Sequence, residues 1–561
     1  MTRLIASIRT VTTLFPSWRD YQQVPKTWRQ DLLAGVTVGI VALPLALAFG
    51  VTSGAGAESG LITAIIAGIV AAVFGGSNIQ VSGPTGAMVV VLGPIVATQG
   101  LGVLAVVCVL AGLIVVLAGL LRLGRTITYI PWPVIEGFTL GIATIIFLQQ
   151  VPAAVGVAAG ESSNAFLAAV QSLETVDWLH VWVPVLVVAV VVIVMVVAPR
   201  IHHALPGSII AIVIVTLGAG LTGLPVETIG TLPDTLPAPI LPSTDWATLA
   251  TLVGPAFTIA ALAAIESLLS VRVAASISNT GAYDADRELV GQGLASVASG
   301  IFGGMPATGA IARTAVNIRA GGRTRLSAVV HSIVLLIVVY VASGVVGSIP
   351  LAALSGILMV TATRMFSIAT VKTIIGSTKS DAIVFIVTAL ITVSVDLIYA
   401  VGIGIAVAAF FALRSLANSA GVHREEIPHT DEPGDEHIAV FRLDGALFFG
   451  VAERLMTRVG KIEDVNVVIL RMSQLQILDA TGAQVITELM QGLERRGITV
   501  LIKGIRPQHL RLATKVGVIS SLRHENHLFE TLDEAIEHAR SHIRRARSGN
   551  EPSSQSPTTR Y

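Results

Sequence analysis

The chain has 561 residues, of which 53% are hydrophobic and only 13% are charged, and its mean hydropathy is +0.79. A soluble protein of this length does not need so large an apolar fraction, so the composition indicates a polytopic membrane protein. A formal net charge of +1 without a basic stripe argues against nucleic acid as a partner. The single cysteine, Cys108, excludes a disulfide within the chain and does not favour a metal cluster.

The first 30 residues form a predicted cytoplasmic segment. They lack the apolar region and small-residue cleavage site of a signal peptide. They carry five basic residues and few acidic ones, and the positive-inside rule places such a segment in the cytoplasm: Arg3, Arg9, Arg19, Lys26 and Arg29. We therefore expect a multi-pass protein of the inner (plasma) membrane with a cytoplasmic N-terminus.

Apolar segments recur through residues 31–419, and we interpret this region as a transmembrane domain of fourteen segments. The even number places both ends of the domain on the same side of the membrane. The stretch 161–178 is a candidate for an extra surface helix. The predicted segments lie near 31–53, 59–76, 84–98, 101–122, 131–150, 181–198, 206–223, 250–273, 286–304, 309–320, 323–347, 350–366, 380–397 and 399–417.

The transmembrane region contains a repeated element. Phe-Gly-Gly followed by a short extended stretch and Thr-Gly-Ala occurs at 74–87 and again at 302–310, with a separation of 228 residues between the two phenylalanines. Each copy precedes the third segment of a set of seven. Seven is odd, so the sets 31–223 and 250–417 would be inverted repeats, as in secondary transporters. The third segments are short and begin with Gly or Pro, which indicates a substrate site at the membrane midplane.

The composition changes after residue 419. A charged stretch at 420–436 is a predicted linker, and strands alternating with amphipathic helices at 437–540 predict a small α/β domain. Because the number of spans is even, we expect this domain in the cytoplasm. We predict a disordered tail at 541–561.

The two short third segments predict an anion site. If 84–98 and 309–320 are half-helices whose N-termini meet, each end offers unpaired N–H groups and about half a positive charge. Arg313 would add a full charge in the first turn of the second half-helix, and a charge at membrane depth is a functional hypothesis by default. The alternative is that Arg313 is structural, reaching an interface or pairing with a carboxylate.

Glu266 and Ser270 are the candidate coupling residues. They are four residues apart and so share one face of a helix. A buried carboxylate close to a cation suits either a proton carrier or a cation ligand. The alternative is an ion pair that only holds two helices together. No catalytic triad, metal-ligand spacing or nucleotide loop is recognisable, so we expect no enzyme and no cofactor beyond co-transported H⁺ or Na⁺.

Several stretches resemble signatures of the sulfate permease (SulP) family, relatives of the solute carrier 26 anion transporters: "AGVTVGIVALPLALAFGVTSGAG", "SGPTGA", "ELVGQGLAS" and "ATGAIARTAVN". The C-terminal region is similar to the STAS domain of that family, and the resemblance covers nearly the whole chain. It implies a fold of fourteen spans in two inverted seven-helix repeats, with core and gate domains. It also implies a homodimer and a cytoplasmic STAS domain with a potential protein partner.

The resemblance also implies an anion pocket between the first, third, eighth and tenth segments. Carried over by motif, its substrate-binding residues are Leu45, Phe49, Thr85, Ala312 and Arg313, and Glu266 occupies the carboxylate position of the eighth segment. Many animal members have glutamine where Leu45 stands. The cyanobacterial sodium–bicarbonate members have Asp and Thr in place of Glu266 and Ser270 and lack the arginine. The bacterial dicarboxylate–proton members are more similar, which favours proton coupling.

Thr481 in "LDATGA" matches the phosphorylated serine of bacterial anti-sigma antagonists, which are related to STAS domains. A phosphate there would add about −1.5 to −2 charges. The alternative is a helix N-cap formed by Asp479 and Thr481 without regulation.

Together these features predict a proton-coupled importer of a small anion such as sulfate, bicarbonate or a C4-dicarboxylate. The alternatives are a sodium-coupled bicarbonate symporter, an uncoupled anion channel or exchanger, a nucleobase transporter on the same fold, and a regulatory scaffold for STAS partners.

Overall fold

The computed structural model describes residues 14–548 apart from 163, 180, 203–204, 233, 396, 420, 428–431 and 448–463. The chain divides between Ala408 and Ala409 into two compact units.

A helix is present at each of the fourteen predicted positions. The helices are α1 (Val24–Thr52), α2 (Gly56–Phe74), α3 (Gly86–Gln99), α4 (Leu104–Leu120), α5 (Trp132–Gln149), α6 (Trp182–Ile201), α7 (Gly207–Thr222), α8 (Trp246–Ile277), α9 (Ala285–Ile301), α10 (Ile311–Arg319), α11 (Arg325–Gly347), α12 (Leu351–Met365), α13 (Lys379–Ser394) and α14 (Leu397–Ser419). Among the described residues, nine helices are long and apolar enough to cross a membrane. The predicted polytopic helical fold is confirmed.

Three short helices lie outside this set. One of them, Ala165–Glu174, is the surface helix predicted at 161–178, whereas Val151–Val155 and Ile368–Ser377 were not predicted. The predicted start of α1 at residue 31 is too late, because the helix begins at Val24 with Pro25 in its first turn. Its first two turns also carry Lys26 and Arg29. These charges hide the helix from a search for apolar runs, so residues 24–30 belong to α1 and not to the N-terminal segment.

Small residues allow α4 and α9 to pack closely. A Cβ atom added at Gly293 would lie 2.5 Å from the carbonyl oxygen of Gly112, and one added at Gly112 would lie 2.6 Å from that of Gly293. Each glycine therefore faces the backbone of the other helix with no room for a side chain. Such small-residue contacts are a common basis of helix association in membranes.

Two short strands join the repeats at the start of the half-helices. Strand β1 (Ser82–Gly83) precedes α3, and β2 (Thr308–Gly309) precedes α10. They pair antiparallel, with Ser82 opposite Gly309 and Gly83 opposite Thr308. This pairing brings the N-termini of α3 and α10 together, as the repeated Thr-Gly-Ala element predicted.

Buried polar residues hold the extended segment before β1. The side chain of Gln292 on α9 donates to Ser82 Oγ at 2.6 Å and to Glu288 Oε1 at 2.8 Å. Glu288 Oε2 accepts from the backbone N–H of Gly76 at 2.7 Å and of Ser77 at 3.1 Å. Because non-helical backbone at membrane depth needs protein partners, these bonds are a condition of the fold.

The C-terminal unit contains a sheet whose strands are β3 (Gly421–Glu425), β4 (Ile438–Leu447), β5 (Val467–Arg471), β7 (Thr499–Lys503) and β8 (Leu528–Phe529) in that order, and β6 (Leu475–Leu478) also pairs with β4. Strand β3 is antiparallel to β4, and the other pairs are parallel. Helices α15 (Ala480–Arg495) and α16 (Pro507–Val516) cover one face and α17 (Leu532–Ser548) the other.

Two predicted boundaries of this region were wrong. The predicted linker 420–436 contains β3, whose charged residues conceal a strand that pairs with β4. The predicted tail 541–561 begins inside α17, which continues to Ser548. Ile543 on this helix is buried against the sheet, so the apolar face of α17 extends past residue 540. Residues 549–561 lie outside the described part of the chain.

Candidate functional site

Glu266 lies between the two repeats and contacts a threonine from each. Its Oε2 accepts a hydrogen bond from Thr85 Oγ1 at 2.8 Å and from Thr308 Oγ1 at 2.9 Å. The two hydroxyl oxygens are 3.1 Å apart. Thr85 and Thr308 are buried, and Glu266 is half-buried on α8. A single carboxylate oxygen thus accepts hydrogen bonds from hydroxyl groups at equivalent positions of both repeats.

No side chain caps the N-terminus of either half-helix. Thr85 is the N-cap residue of α3, but its hydroxyl bonds Glu266 and not the first turn. The N-cap residue of α10 is Ala310, which has no side chain able to cap. The N–H groups of both first turns are therefore left for another acceptor, and both ends carry the positive pole of their helix.

Arg313 lies in the first turn of α10, as predicted, and its residue surface is only 2% exposed. Its Nη2 donates to the carbonyl of Pro84 at 2.6 Å, which ties the arginine to the start of α3. Its Nη1 is buried and has no hydrogen-bond partner among the described residues. A buried guanidinium donor without a partner is costly, so a ligand that accepts from it is expected.

Arg313 is not paired with a carboxylate. Among the described residues, no carboxylate oxygen lies within the 4.0 Å of an ion pair with its guanidinium, Glu266 included. Among the described residues, neither Arg313 nor Glu266 forms the ion pair that the structural alternative requires. The two groups instead face the same small region through Pro84 and Thr85.

The other sequence-predicted residues lie at different distances from this centre. A Cβ atom added at Gly86, in the first turn of α3, would lie 3.4 Å from Phe49 Cε1, so the ring of Phe49 borders that helix end. Leu45 is buried in the same apolar core, and Ala312 is exposed next to Arg313.

Ser270 does not join the contacts of Glu266. It is fully buried and its hydroxyl has no hydrogen-bond partner. Ser267, which was not predicted, supports the site instead: its Oγ accepts from the backbone N–H of Gly309 at 3.1 Å, and its carbonyl accepts from Gln80 at 3.3 Å. Thr308 was also missed, although the repeated Thr-Gly-Ala element pointed to it as the counterpart of Thr85.

A separate cleft lies away from Glu266 and Arg313. It has a volume of about 520 Å³ and lies at the end of α4, the end of α8 and the start of α9. Three arginines line it, Arg122, Arg125 and Arg272, together with Asp284 and Asp286. None of the predicted substrate residues lines it, so we place the candidate site at Arg313 and not in this cleft.

In the C-terminal unit, Thr481 is exposed in the first turn of α15. Asp479 is the N-cap residue, and its Oδ1 accepts from the backbone N–H of Gly482 at 2.7 Å. The cap is therefore made by Asp479 without Thr481, whose hydroxyl stays accessible. Phosphorylation of Thr481 remains a prediction.

Comparison with known proteins gives a consistent result. Residues 28–388 match the family model described as the sulfate permease family, and residues 430–535 match that of the STAS domain. The bicarbonate transporter BicA of Synechocystis is 31% identical over 558 residues, which cover 95% of this chain and 98% of that protein. YvdB of Bacillus subtilis, named as a candidate sulfate transporter, is 34% identical over 522 residues, covering 90% and 97%.

Solved structures share the fold. The transmembrane domain of a cyanobacterial bicarbonate transporter BicA superimposes with a TM-score of 0.62 at 33% identity, covering 68% of this chain and 98% of that one. Murine solute carrier 26 family member A9, an anion transporter solved in the inward-facing state, superimposes with a TM-score of 0.82 at 17% identity, covering 95% of each chain.

Proposed function

Because this chain belongs to the sulfate permease family of membrane anion transporters, which are not enzymes, we propose that it is a proton-coupled symporter importing a small anion. The substrate classes proposed are sulfate, bicarbonate and C4-dicarboxylates. Relatives are named for sulfate and for bicarbonate, which supports the first two. Arg313 and the two uncapped helix ends supply positive charge without selecting among the three.

The observation that carries the proposal is the pair of hydroxyl bonds to Glu266. While Glu266 is ionised, its Oε2 accepts hydrogen bonds from the hydroxyl groups of Thr85 and Thr308. When Oε2 is protonated, it can no longer accept hydrogen bonds from both threonines. The new O–H of Glu266 donates to one threonine, and the hydroxyl group of the other is released. The released hydroxyl then donates to an anion beside Arg313 Nη1.

Charge supports the same coupling. With Glu266 ionised, Arg313 and Glu266 cancel each other, and an anion meets only the helix ends. With Glu266 protonated, one full positive charge remains for the anion. Proton and anion therefore each raise the affinity of the site for the other, and linkage requires the two effects to be equal.

A sodium-coupled bicarbonate symporter is the second candidate. The BicA relatives favour bicarbonate as its substrate. In this mechanism Glu266, Thr85 and Thr308 supply oxygen ligands to Na⁺ in place of hydrogen bonds to one another. A dependence of uptake on sodium at constant pH would distinguish it from the proton mechanism.

We also propose the cellular arrangement that the sequence predicted: a homodimer in the plasma membrane, with the N-terminal segment and the STAS domain in the cytoplasm. The five basic residues before residue 30 support this orientation. We propose that membrane lipid and a protein bound to the STAS domain are its other partners, and that Thr481 is a phosphorylation site.

The test is uptake by the full-length protein in liposomes. Labelled sulfate, bicarbonate, fumarate and uracil are offered under an inward proton gradient or an inward sodium gradient. We expect one anion to accumulate under the proton gradient, and Arg313→Ala to abolish accumulation. Arg319→Ala is the matched control, because Arg319 lies at the exposed far end of the same helix.

Each other outcome contradicts part of the proposal. Uptake driven by sodium alone would replace the proton by sodium as the coupling ion. Anion flux that follows neither gradient would indicate a channel or exchanger, and uracil uptake would indicate a nucleobase transporter. Normal accumulation by Arg313→Ala would remove the proposed site.

A further inference from the structure

Three histidines of the C-terminal unit come together although they are distant in sequence. His538 and His542 are four residues apart on one face of α17, and His527 directly precedes β8. One ring nitrogen from each lies within 4.8 Å of those of the other two.

The spacing of the ring nitrogens suits a metal ion. His538 Nε2 and His542 Nε2 are 3.2 Å apart. A tetrahedral zinc site with bonds of about 2.0–2.1 Å separates its ligand nitrogens by roughly 3.3 Å. The His527 ring centroid lies 5.4 Å from those of both His538 and His542, so it faces the pair and completes a triangle.

His527 has the features of a ligand held ready. It is 1% exposed, and its Nδ1 is buried without a hydrogen-bond partner. The backbone of Val500 is close enough to this ring to act as a hydrogen-bond acceptor. Histidine ligands commonly donate their second nitrogen to a backbone carbonyl, which fixes the tautomer and orients the ring.

We propose that the C-terminal domain binds one transition-metal ion, of the Zn²⁺ class, through His527, His538 and His542. A set of three nitrogens without a carboxylate selects Zn²⁺, Ni²⁺ or Cu²⁺ over Mg²⁺ and Ca²⁺, which prefer oxygen. Water fills the fourth position. In the bond between the His538 and His542 nitrogens, only one Nε2 carries a proton. When both Nε2 atoms turn to the metal, that proton moves to Nδ1 of the same ring, so no proton is lost.

Such an ion would link α17 to the edge of the sheet. His527 belongs to the segment that enters β8, whereas His538 and His542 belong to the last helix. A ligand that binds only the folded state stabilises it by mass action. Metal binding would therefore raise the melting temperature of this domain and hold its C-terminal helix in place.

The test uses the full-length protein in detergent, freed of metal and titrated with ZnCl₂ and with CoCl₂. We expect one Zn²⁺ per chain, and a visible Co²⁺ spectrum of tetrahedral intensity that Mg²⁺ in excess does not displace. His538→Gln and His542→Gln should each weaken Zn²⁺ binding at least 10-fold and lose the Co²⁺ spectrum. His423→Gln, a half-exposed histidine on β3, is the matched control and should bind as the wild type does.

Melting temperatures measured without metal show whether a variant has lost only a metal ligand or has lost its folded structure. The glutamine variants should melt as the wild type does without metal and lose only the rise that Zn²⁺ causes. Absence of stoichiometric Zn²⁺ binding by the wild type overturns the proposal, as does equal binding by His538→Gln and His542→Gln. Should both variants unfold, the wild-type Co²⁺ spectrum is the remaining test, because an octahedral spectrum would contradict the four-coordinate site proposed here.

Discussion

At the scale of single residues, the unpartnered Nη1 of Arg313 is the feature that most directly indicates a ligand. The guanidinium is buried, one of its nitrogens is tied to Pro84, and the other faces Gly83. Sequence alone predicted the importance of Arg313 from its charge and from the repeat. It could not predict which nitrogen would be free, because that depends on the carbonyl of a residue 229 positions away.

Gly83→Ala tests this space. A Cβ atom at Gly83 would lie 2.6 Å from Arg313 Nη1, and the glycine has a φ of 153°, which an L-residue rarely adopts. We expect anion affinity to fall at least 10-fold, measured as the KM of uptake in liposomes. Gly93→Ala, on the half-helix α3 that follows β1, is the control, because the added atom meets nothing within 4 Å. Unchanged KM in Gly83→Ala would show that Nη1 does not face the anion.

Thr308→Val tests the hydroxyl network. Valine keeps the shape but cannot donate to Glu266, so the carboxylate loses one of its two hydroxyl partners. We expect weaker, less pH-dependent uptake, with Thr85→Val giving a similar loss because it removes the other partner. The KM of uptake is measured at several pH values. A pH profile identical to that of the wild type would contradict a role of Thr308 in coupling.

At the scale of elements, apolar runs located the helices long enough to cross a membrane, whereas the short α10, with two arginines in nine residues, was marked by the repeated Thr-Gly-Ala element. The search for apolar runs missed Ile368–Ser377, the first turns of α1 and strand β3, all of which contain charged residues or are short. Ser270 was chosen for its helical spacing from Glu266, but a hydroxyl four residues away need not point at the carboxylate. The spacing of His538 and His542 places two members of the three-histidine cluster on one helical face, but His527 belongs to another element, so no local pattern indicates the full set.

The contact between α4 and α9 predicts a strong effect of one methyl group. Gly293→Ala would place a Cβ atom 2.5 Å from the carbonyl oxygen of Gly112, and overpacking of this kind costs about 1–3 kcal/mol. We expect a lower melting temperature of the protein in detergent. Gly254→Ala on α8, where the added atom meets nothing within 4 Å, should melt as the wild type does. Equal melting temperatures for the two variants would show that α4 and α9 are not packed this closely.

At the scale of the whole molecule, two inverted repeats each contribute one threonine, one strand and one half-helix to a single centre. The antiparallel pair β1–β2 makes this symmetry physical, because it fixes both helix ends at once. One carboxylate, Glu266, and one arginine, Arg313, break the symmetry, and they are the groups to which we assign the proton and the anion. The coupling that we propose would follow from adding two charged residues to an otherwise symmetric frame.

The central claim is that Glu266 carries the proton that enters with the anion. The most direct measurement is proton entry into liposomes, followed with a trapped pH indicator, when the transported anion is added outside. No pH or sodium gradient is imposed. We predict that the wild type acidifies the lumen, whereas Glu266→Gln lets labelled anion exchange across the membrane without acidification. Acidification by Glu266→Gln equal to that of the wild type, at equal anion flux, would contradict the account.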